Sequence, residues 1–249
     1  MFIDAASPAT LRREIAQAIA GLIVHDLTPW QTAREKILAD YPRLPAGAVP
    51  DGAEIESAVR ETWAVFAPEE HARLLRRRRE AAWHLMTELF EGLDATLTGA
   101  VLNGAATPET NIRLELFTDD VKEAELRLLN AGIDFDVLDT IDSRMPTPSE
   151  VLAFLDPGAS PRDPVGVLVE IHSPRFRGRN PYRRPPDARQ EAWEASGRMT
   201  AAELEKHLRE RHPQGRTPGF CPLFLQSHGY NSRQLNGRDP RFSASFPGN

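Results

Sequence analysis

The chain has 249 residues, 41% of them hydrophobic, a formal net charge of -6 and one cysteine, Cys221. That length suits one mixed domain or a domain with flanking helices, and the apolar content permits a real core. The negative balance argues against a generic nucleic-acid coat protein but allows a local basic patch. A lone cysteine excludes an internal disulfide, and with neither an apolar run of spanning length nor a basic-then-apolar leader the expectation is a cytoplasmic protein with no membrane partner.

Ser7 and Pro8 form a helix start, a capping hydroxyl followed by proline at the first helical position. Leu11, Ile15, Ile19 and Leu22 follow at helical spacing, and His25-Asp26 ends the run. Thr28 and Gln31 have capping-box spacing at the head of a second helix, whose stripe is Trp30, Ala33 and Ile37. Pro42, Pro45 and Pro50 mark a loop over 41–52. A third helix over 51–66 places Ile55, Val59, Trp63 and Phe66 on one face. Residues 1–66 therefore read as a helical cap. The alternative, a nucleic-acid-binding bundle, lacks a face of clustered Lys and Arg.

Pro68 opens a long helix to about residue 92, with Leu74, Ala81, Leu85 and Leu89 as its apolar seam. Within it Arg76 to Arg79 are four successive arginines, which a helix spreads around its whole circumference. They read as a solvated face paired with Glu69, Glu70 and Glu80, the alternative being contact with phosphate or RNA. A strand over 93–98 leads to Gly99 and Gly104, which let the backbone turn sharply and approach a ligand closely. Pro108-Glu109-Thr110 closes that loop. The next strand alternates, with Ile112, Leu114 and Leu116 toward the core and Asn111, Arg113 and Glu115 on the opposite face.

This glycine turn and strand resemble the polymerase-β-like nucleotidyltransferase superfamily, over roughly residues 68–172. In that family a Gly-Ser turn, a second glycine and an Asp-x-Asp strand follow at fixed spacing. Gly99 falls on the first glycine and Gly104 on the second; Ala106, Pro108 and Thr110 fit the loop, and Ile112 and Leu114 fit the apolar strand positions. Ala100 stands where the phosphate-contacting serine would be, and Asn111 and Arg113 stand where the two metal-binding aspartates would be. The resemblance is thus to a degenerate bacterial branch. It implies an α/β (α+β) fold, a short mixed sheet with flanking helices over a core of residues 67–173, with the preceding helix lying against the sheet.

Nucleotidyl transfer needs metal ions to hold phosphates and neutralise developing charge, and magnesium wants anionic oxygens. Asn111 contributes one neutral oxygen, and Arg113 brings a positive charge and no lone pair. No cofactor and no metal are expected on this reading. Either Arg113 pairs with Glu115 or Glu170 in a self-neutralised pocket, or it receives a phosphate together with the amides near Gly99 and Ala100. Gly99, Ala100, Gly104, Asn111 and Arg113 are then the nucleotide-binding candidates. An active transferase with magnesium relocated to Glu115 and Glu170 is the alternative.

Thr118-Asp119-Asp120 starts a helix with Ala124, Leu128 and Leu129 inward, and Gly132 ends it. Ile133, Phe135 and Val137 alternate with Asp134 and Asp136, a pair read as a solvent-facing strand edge. Residues 149–155 form a further strand, Pro161 to Pro164 a turn, and 165–173 a last long strand with Val167, Val169 and Ile171 opposite Leu168, Glu170 and His172. Glu170 is the candidate for the third carboxylate that the resemblance brings from a later strand, or else an edge-strand acid in a surface pair. Residues 174–211 hold the densest basic patch, Arg175, Arg177, Arg179, Arg183 and Arg184, interleaved with Phe176 and Tyr182. This suits phosphate contact with base stacking, or a solvated Pro-rich loop. Thr200 and Glu203 cap a final helix. The Gly-, Pro-, Ser- and Asn-rich tail, 212–249, is expected to be partly flexible, with Phe220, Leu223 and Phe224 able to dock. His212, His228 and Cys221 lack zinc-site spacing. The expected function is an inactive nucleotidyltransferase-like module that binds a nucleotide, RNA or a protein.

Overall fold

The computed structural model describes residues 7–139, 147–156 and 164–210. Pro161, and the tail with His212, Phe220, Cys221, Leu223, Phe224 and His228, lie outside the described residues. No helix among the described residues is long and apolar enough to cross a membrane.

Three helices come first: α1 (Pro8–His25), α2 (Trp30–Ala39) and α3 (Gly52–Phe66). Ser7 caps α1 through its side chain. Asp51 and Glu54 cap α3 reciprocally, at 2.8 and 3.0 Å. The box expected from Thr28 and Gln31 is not formed, and α2 starts after Pro29 with no side-chain cap. Leu27 takes a left-handed φ of 50°, which turns the Thr28 N–H back onto the Leu22 carbonyl at 3.1 Å. Thr28 therefore closes α1 instead of opening α2. Ile15, Ile19, Ile23, Ala33, Ile55, Val59 and Trp63 form a core of their own, which meets the rest of the protein through Ala100 and Ala105. Phe66 is not on that inner face; it is mostly exposed and stands edge-on to His25.

Trp63 stacks flat on His71, with centroids 4.9 Å apart and planes within 2°. His71 Nε2 lies 3.1 Å from the Ala106 carbonyl, so the neutral ring carries its proton there. Burial holds the His71 pKa down at about 4, against an ordinary 6.5, with the Arg79 charge acting in the same sense. The unfolded imidazole takes up a proton near 6.5 while the folded one resists until about 4. Stability is therefore full above pH 6.5 and falls as pH drops from 6.5 to 4, by on the order of 1–3 kcal/mol for this partly exposed ring. Urea unfolding across that window is expected to show the loss in the wild type and a flatter profile in His71→Asn.

Helix α4 (Pro68–His84) follows, and its last turn widens into a π turn at Leu85–Leu89. It lies against the sheet through Leu75, Ala82, Leu85 and Met86. The four-arginine run is a solvated face only in part, at Arg76 and the exposed Arg77. Arg76 does pair with Glu80 at 2.8 Å, but Arg78 and Arg79 are buried. Arg79 donates to the Val101 and Leu102 carbonyls, both at 2.9 Å, and to Glu194 at 2.8 Å. Arg78 donates to the Pro108 carbonyl at 2.7 Å. For Arg79 the physical reason is a nearby element, α5 (Gly99–Asn103), only five residues long. Carbonyls at its C-terminal end need donors from elsewhere, and α4 supplies them.

The sheet is mixed, with order β3-β4-β5-β2-β1-β6. Its strands are β1 (Ala95–Thr98), β2 (Ile112–Phe117), β3 (Phe135–Leu138), β4 (Glu150–Asp156), β5 (Val165–His172) and β6 (Met199–Thr200). Among the described strands only β2 and β5 pair in parallel. One face carries Leu97, Ile112, Leu114, Leu116, Val167, Val169 and Ile171 into the main core, under α4 and α6 (Val121–Asn130). Asp120 caps α6 from outside the helix. Leu129 is mostly exposed, not inward, while Ala124 and Leu128 are fully buried. Asp134 and Asp136 are exposed on the edge region around β3. Helix α7 (Ala201–Glu210) completes the described fold, with Thr200 and Glu203 capping it and Leu204 buried.

Candidate functional site

The second face of the sheet carries the chemistry. Strand pairing sets Arg113 beside Leu168, Glu115 beside Glu170 and Phe117 beside His172, with Thr96 and Thr98 of β1 opposite Glu115 and Arg113. Alternation along β2 and β5 puts all of these on one side. Glu170 does not sit on an edge strand in a surface pair; β5 is internal, and Glu115, Glu170 and His172 are 0%, 3% and 2% exposed.

Burial comes from a strap, residues 173–198, that leaves β5 and crosses this face before entering β6. Arg198 holds Glu115 in a two-point grip, Nε to Oε2 at 2.5 Å and Nη2 to Oε1 at 2.8 Å. Its Nη1 donates to the carbonyls of Arg177, at 2.9 Å, and Arg179. The Tyr182 hydroxyl donates to Glu170 Oε2 at 3.3 Å, and Thr98 Oγ1 donates to the Gly197 carbonyl at 2.8 Å. Gly197 has φ +80°, and a β-carbon there would stand 2.5 Å from the Arg183 nitrogen. Only glycine lets the two limbs of the strap meet so closely. Farther along, Asp187 takes Arg60 of α3, through Nε at 3.1 Å and through Nη2. Burial pushes the Asp187 pKa up, but the bonds from Arg60, the Arg189 N–H and Ser57 bring it below the usual value. Gln190 reaches the Asn103 carbonyl at 2.9 Å.

The glycine turn is covered. Gly99 has φ +72°, and a β-carbon on it would lie 3.6 and 3.7 Å from Cβ and Cδ of Arg113. The Arg113 stem therefore rests over Gly99, and its Nε lies 3.5 Å from Glu170 Oε1. Gly104, φ +85°, is backed at the same range by Glu194 and Arg60. Ala100 packs where the two hydrophobic cores meet. Asn111, two residues before Arg113, fills the space over Gly166, where a β-carbon would overlap its amide. Glu56 of α3 closes the other side. Crowding by neighbours raises its pKa, against the pull of Arg60, the Asn103 side chain, Arg184 and Arg113.

The structure thus brings together Arg113, Glu115 and Glu170, with Asn111 against Gly166. Arg175, Arg179, Arg183 and Arg184 of the basic patch are exposed on the strap. Arg175 and Arg179 stand over the Phe176 ring, at 4.6 and 5.7 Å from its centre. Arg177 is tied to Asp94 at 2.8 Å and lies over Phe117. Sequence reasoning missed Arg198, the Tyr182 hydroxyl and the role of His172. For His172 a signal existed: Glu170 and His172 are two residues apart on one strand. Comparison with family models, characterised proteins and solved structures gives no match to this chain.

Proposed function

We propose that the chain is a nucleotidyltransferase-like protein that has lost metal-dependent transfer and serves as a binding module for nucleotide or RNA phosphates. The observation that carries this reading is the Arg113 guanidinium, lying over Gly99 and 3.5 Å from Glu170. A cation occupies the ground where the resembled family gathers anions, and its stem rests against the glycine turn. The helix ahead of β1 lying on the sheet, and β5 bringing Glu170 beside β2, agree with that resemblance. Phosphate recognition falls instead to the exposed strap, where Arg175 and Arg179 flank Phe176 with Arg183 nearby in sequence. Guanidinium groups suit phosphate, and an aromatic ring among them suits a stacked base.

Fluorescence anisotropy with a labelled single-stranded oligoribonucleotide, and calorimetry with nucleoside triphosphates, test the proposal. Binding is expected to weaken steeply with salt, with a log–log slope of about −2 for roughly three phosphate contacts. Arg175→Ala with Arg179→Ala is expected to weaken it further without altering the fold. No binding of either ligand at low salt sinks the idea. A second reading, transfer from a relocated site, is favoured by Glu115 and Glu170 standing side by side. Magnesium-dependent AMP or UMP transfer that disappears in Glu170→Gln would establish it.

A further inference from the structure

Beneath the strap, neither ring nitrogen of His172 has a hydrogen-bond partner among the described residues, although the side chain is 2% exposed. Its Nε2 points between two carboxylates, 3.7 Å from Glu115 Oε1 and 3.6 Å from Glu170 Oε2. Both distances are beyond hydrogen-bond reach. A buried imidazole that approaches two carboxylates and bonds to neither is poorly explained by pairing, because an imidazolium there would close on one oxygen. The three ligating atoms lie within 4.8 Å of one another. A triangle with sides of 3.6, 3.7 and at most 4.8 Å has its equidistant point no more than about 2.4 Å from each corner, within reach of the bond lengths of zinc to imidazole nitrogen and carboxylate oxygen.

We infer that Glu115, Glu170 and His172 form a binding site for one divalent transition metal, zinc above all, between β2 and β5. This site is separate from the Asn111 and Arg113 positions, and it stands whether or not the strap binds nucleic acid. An imidazole with two carboxylates favours zinc, with manganese and cobalt as weaker occupants. Magnesium, which demands an oxygen octahedron and keeps its water, is disfavoured. Arg198 holds both oxygens of Glu115, the Oε1 that faces His172 included, and Arg113 Nε lies 3.5 Å from Glu170 Oε1, the oxygen not turned to His172. They orient both groups, as outer partners of metal ligands do. They also oppose an added dication, so the affinity is expected to be on the order of micromolar, well short of a zinc finger.

The test uses the full chain, stripped with EDTA and titrated calorimetrically with zinc, manganese and magnesium chlorides. Zinc is expected to bind at about one equivalent and magnesium not at all. His172→Gln and Glu170→Gln are each expected to weaken zinc binding by tenfold or more, while His207→Gln leaves it unchanged. Cobalt loading is expected to give visible d–d bands without a thiolate charge-transfer band, a readout that does not depend on the variants folding. Absence of stoichiometric zinc binding by the wild type overturns the site, as does unchanged affinity in both folded variants or a thiolate band pointing to Cys221.

Discussion

Replacing Arg198 by methionine is expected to lower stability by roughly 3–5 kcal/mol, the range for stripping one partner from a buried ion pair. Glu115 has no solvent exposure. Both its oxygens are held by Arg198, at 2.5 and 2.8 Å. Methionine keeps much of the packing against Phe117, whose ring lies 4.8 Å from the guanidinium, and removes only the charge and the donors. The carboxylate must then stay ionised and unpaired or take up a proton, and either is costly inside the fold. The carbonyls of Arg177 and Arg179 lose a donor as well. Adding Glu115→Gln to Arg198→Met is expected to recover a large part of the loss, because no charge is then left alone. Urea unfolding of the two singles and the double measures this coupling. A single variant that loses less than about 1 kcal/mol would show that the grip is not formed, since only an exposed pair is worth so little.

Arg79→Met carries the second large effect, again about 3–5 kcal/mol. Its guanidinium serves the carbonyls of Val101 and Leu102 and the carboxylate of Glu194, all within 2.9 Å. It also stacks on Trp193, 4.6 Å from the ring centre. Glu194 in turn accepts the Glu191 N–H at 2.9 Å, so losing Arg79 loosens the strap where it crosses Gly104. Glu194→Gln on this background is expected to recover only part of the loss, since two α5 carbonyls stay without their donor. The neighbouring Arg76→Ala is the contrast. Its pair with Glu80 is half-exposed, and its removal is expected to change stability by about 0.5 kcal/mol. Equal effects at the two positions would contradict the division of the arginine run into buried and solvated members.

These two arginines also mark where the sequence stops being informative. Alternation from 111 to 117 and from 165 to 172 is a period-two signal, and both strands and both faces are legible from it. That Glu115 and Glu170 share a face follows once the strands are neighbours. Their register does not, because β2 and β5 pair in parallel across a long connection whose length says nothing about alignment. Arg198 lies 83 residues from Glu115, and no local pattern links them. Arg78 and Arg79 look like their solvated neighbours because a run of four arginines has no periodicity; what engages them is distant in sequence, the α5 carbonyls for Arg79 and the Pro108 carbonyl of the loop after α5 for Arg78. The Thr28 and Gln31 spacing is as good a capping box on paper as that of Asp51 and Glu54. Only the second forms, since the left-handed Leu27 commits Thr28 to the helix before it. Leu129 fits a helical stripe but faces outward, because α6 rolls Ala124 and Leu128 onto the sheet instead.

Magnesium dependence bears most directly on the claim that a cation now holds the glycine-turn site. The full chain is titrated calorimetrically with ATP and with UTP, first in EDTA and then in millimolar magnesium, and each mixture is assayed for transfer of AMP or UMP. On the proposed function, affinity equal or weaker in magnesium is expected, with no transfer, since that reading has arginines and not metal ions meet the phosphates. Tighter binding in magnesium that is lost on Asn111→Ala, accompanied by nucleotide transfer, would contradict it.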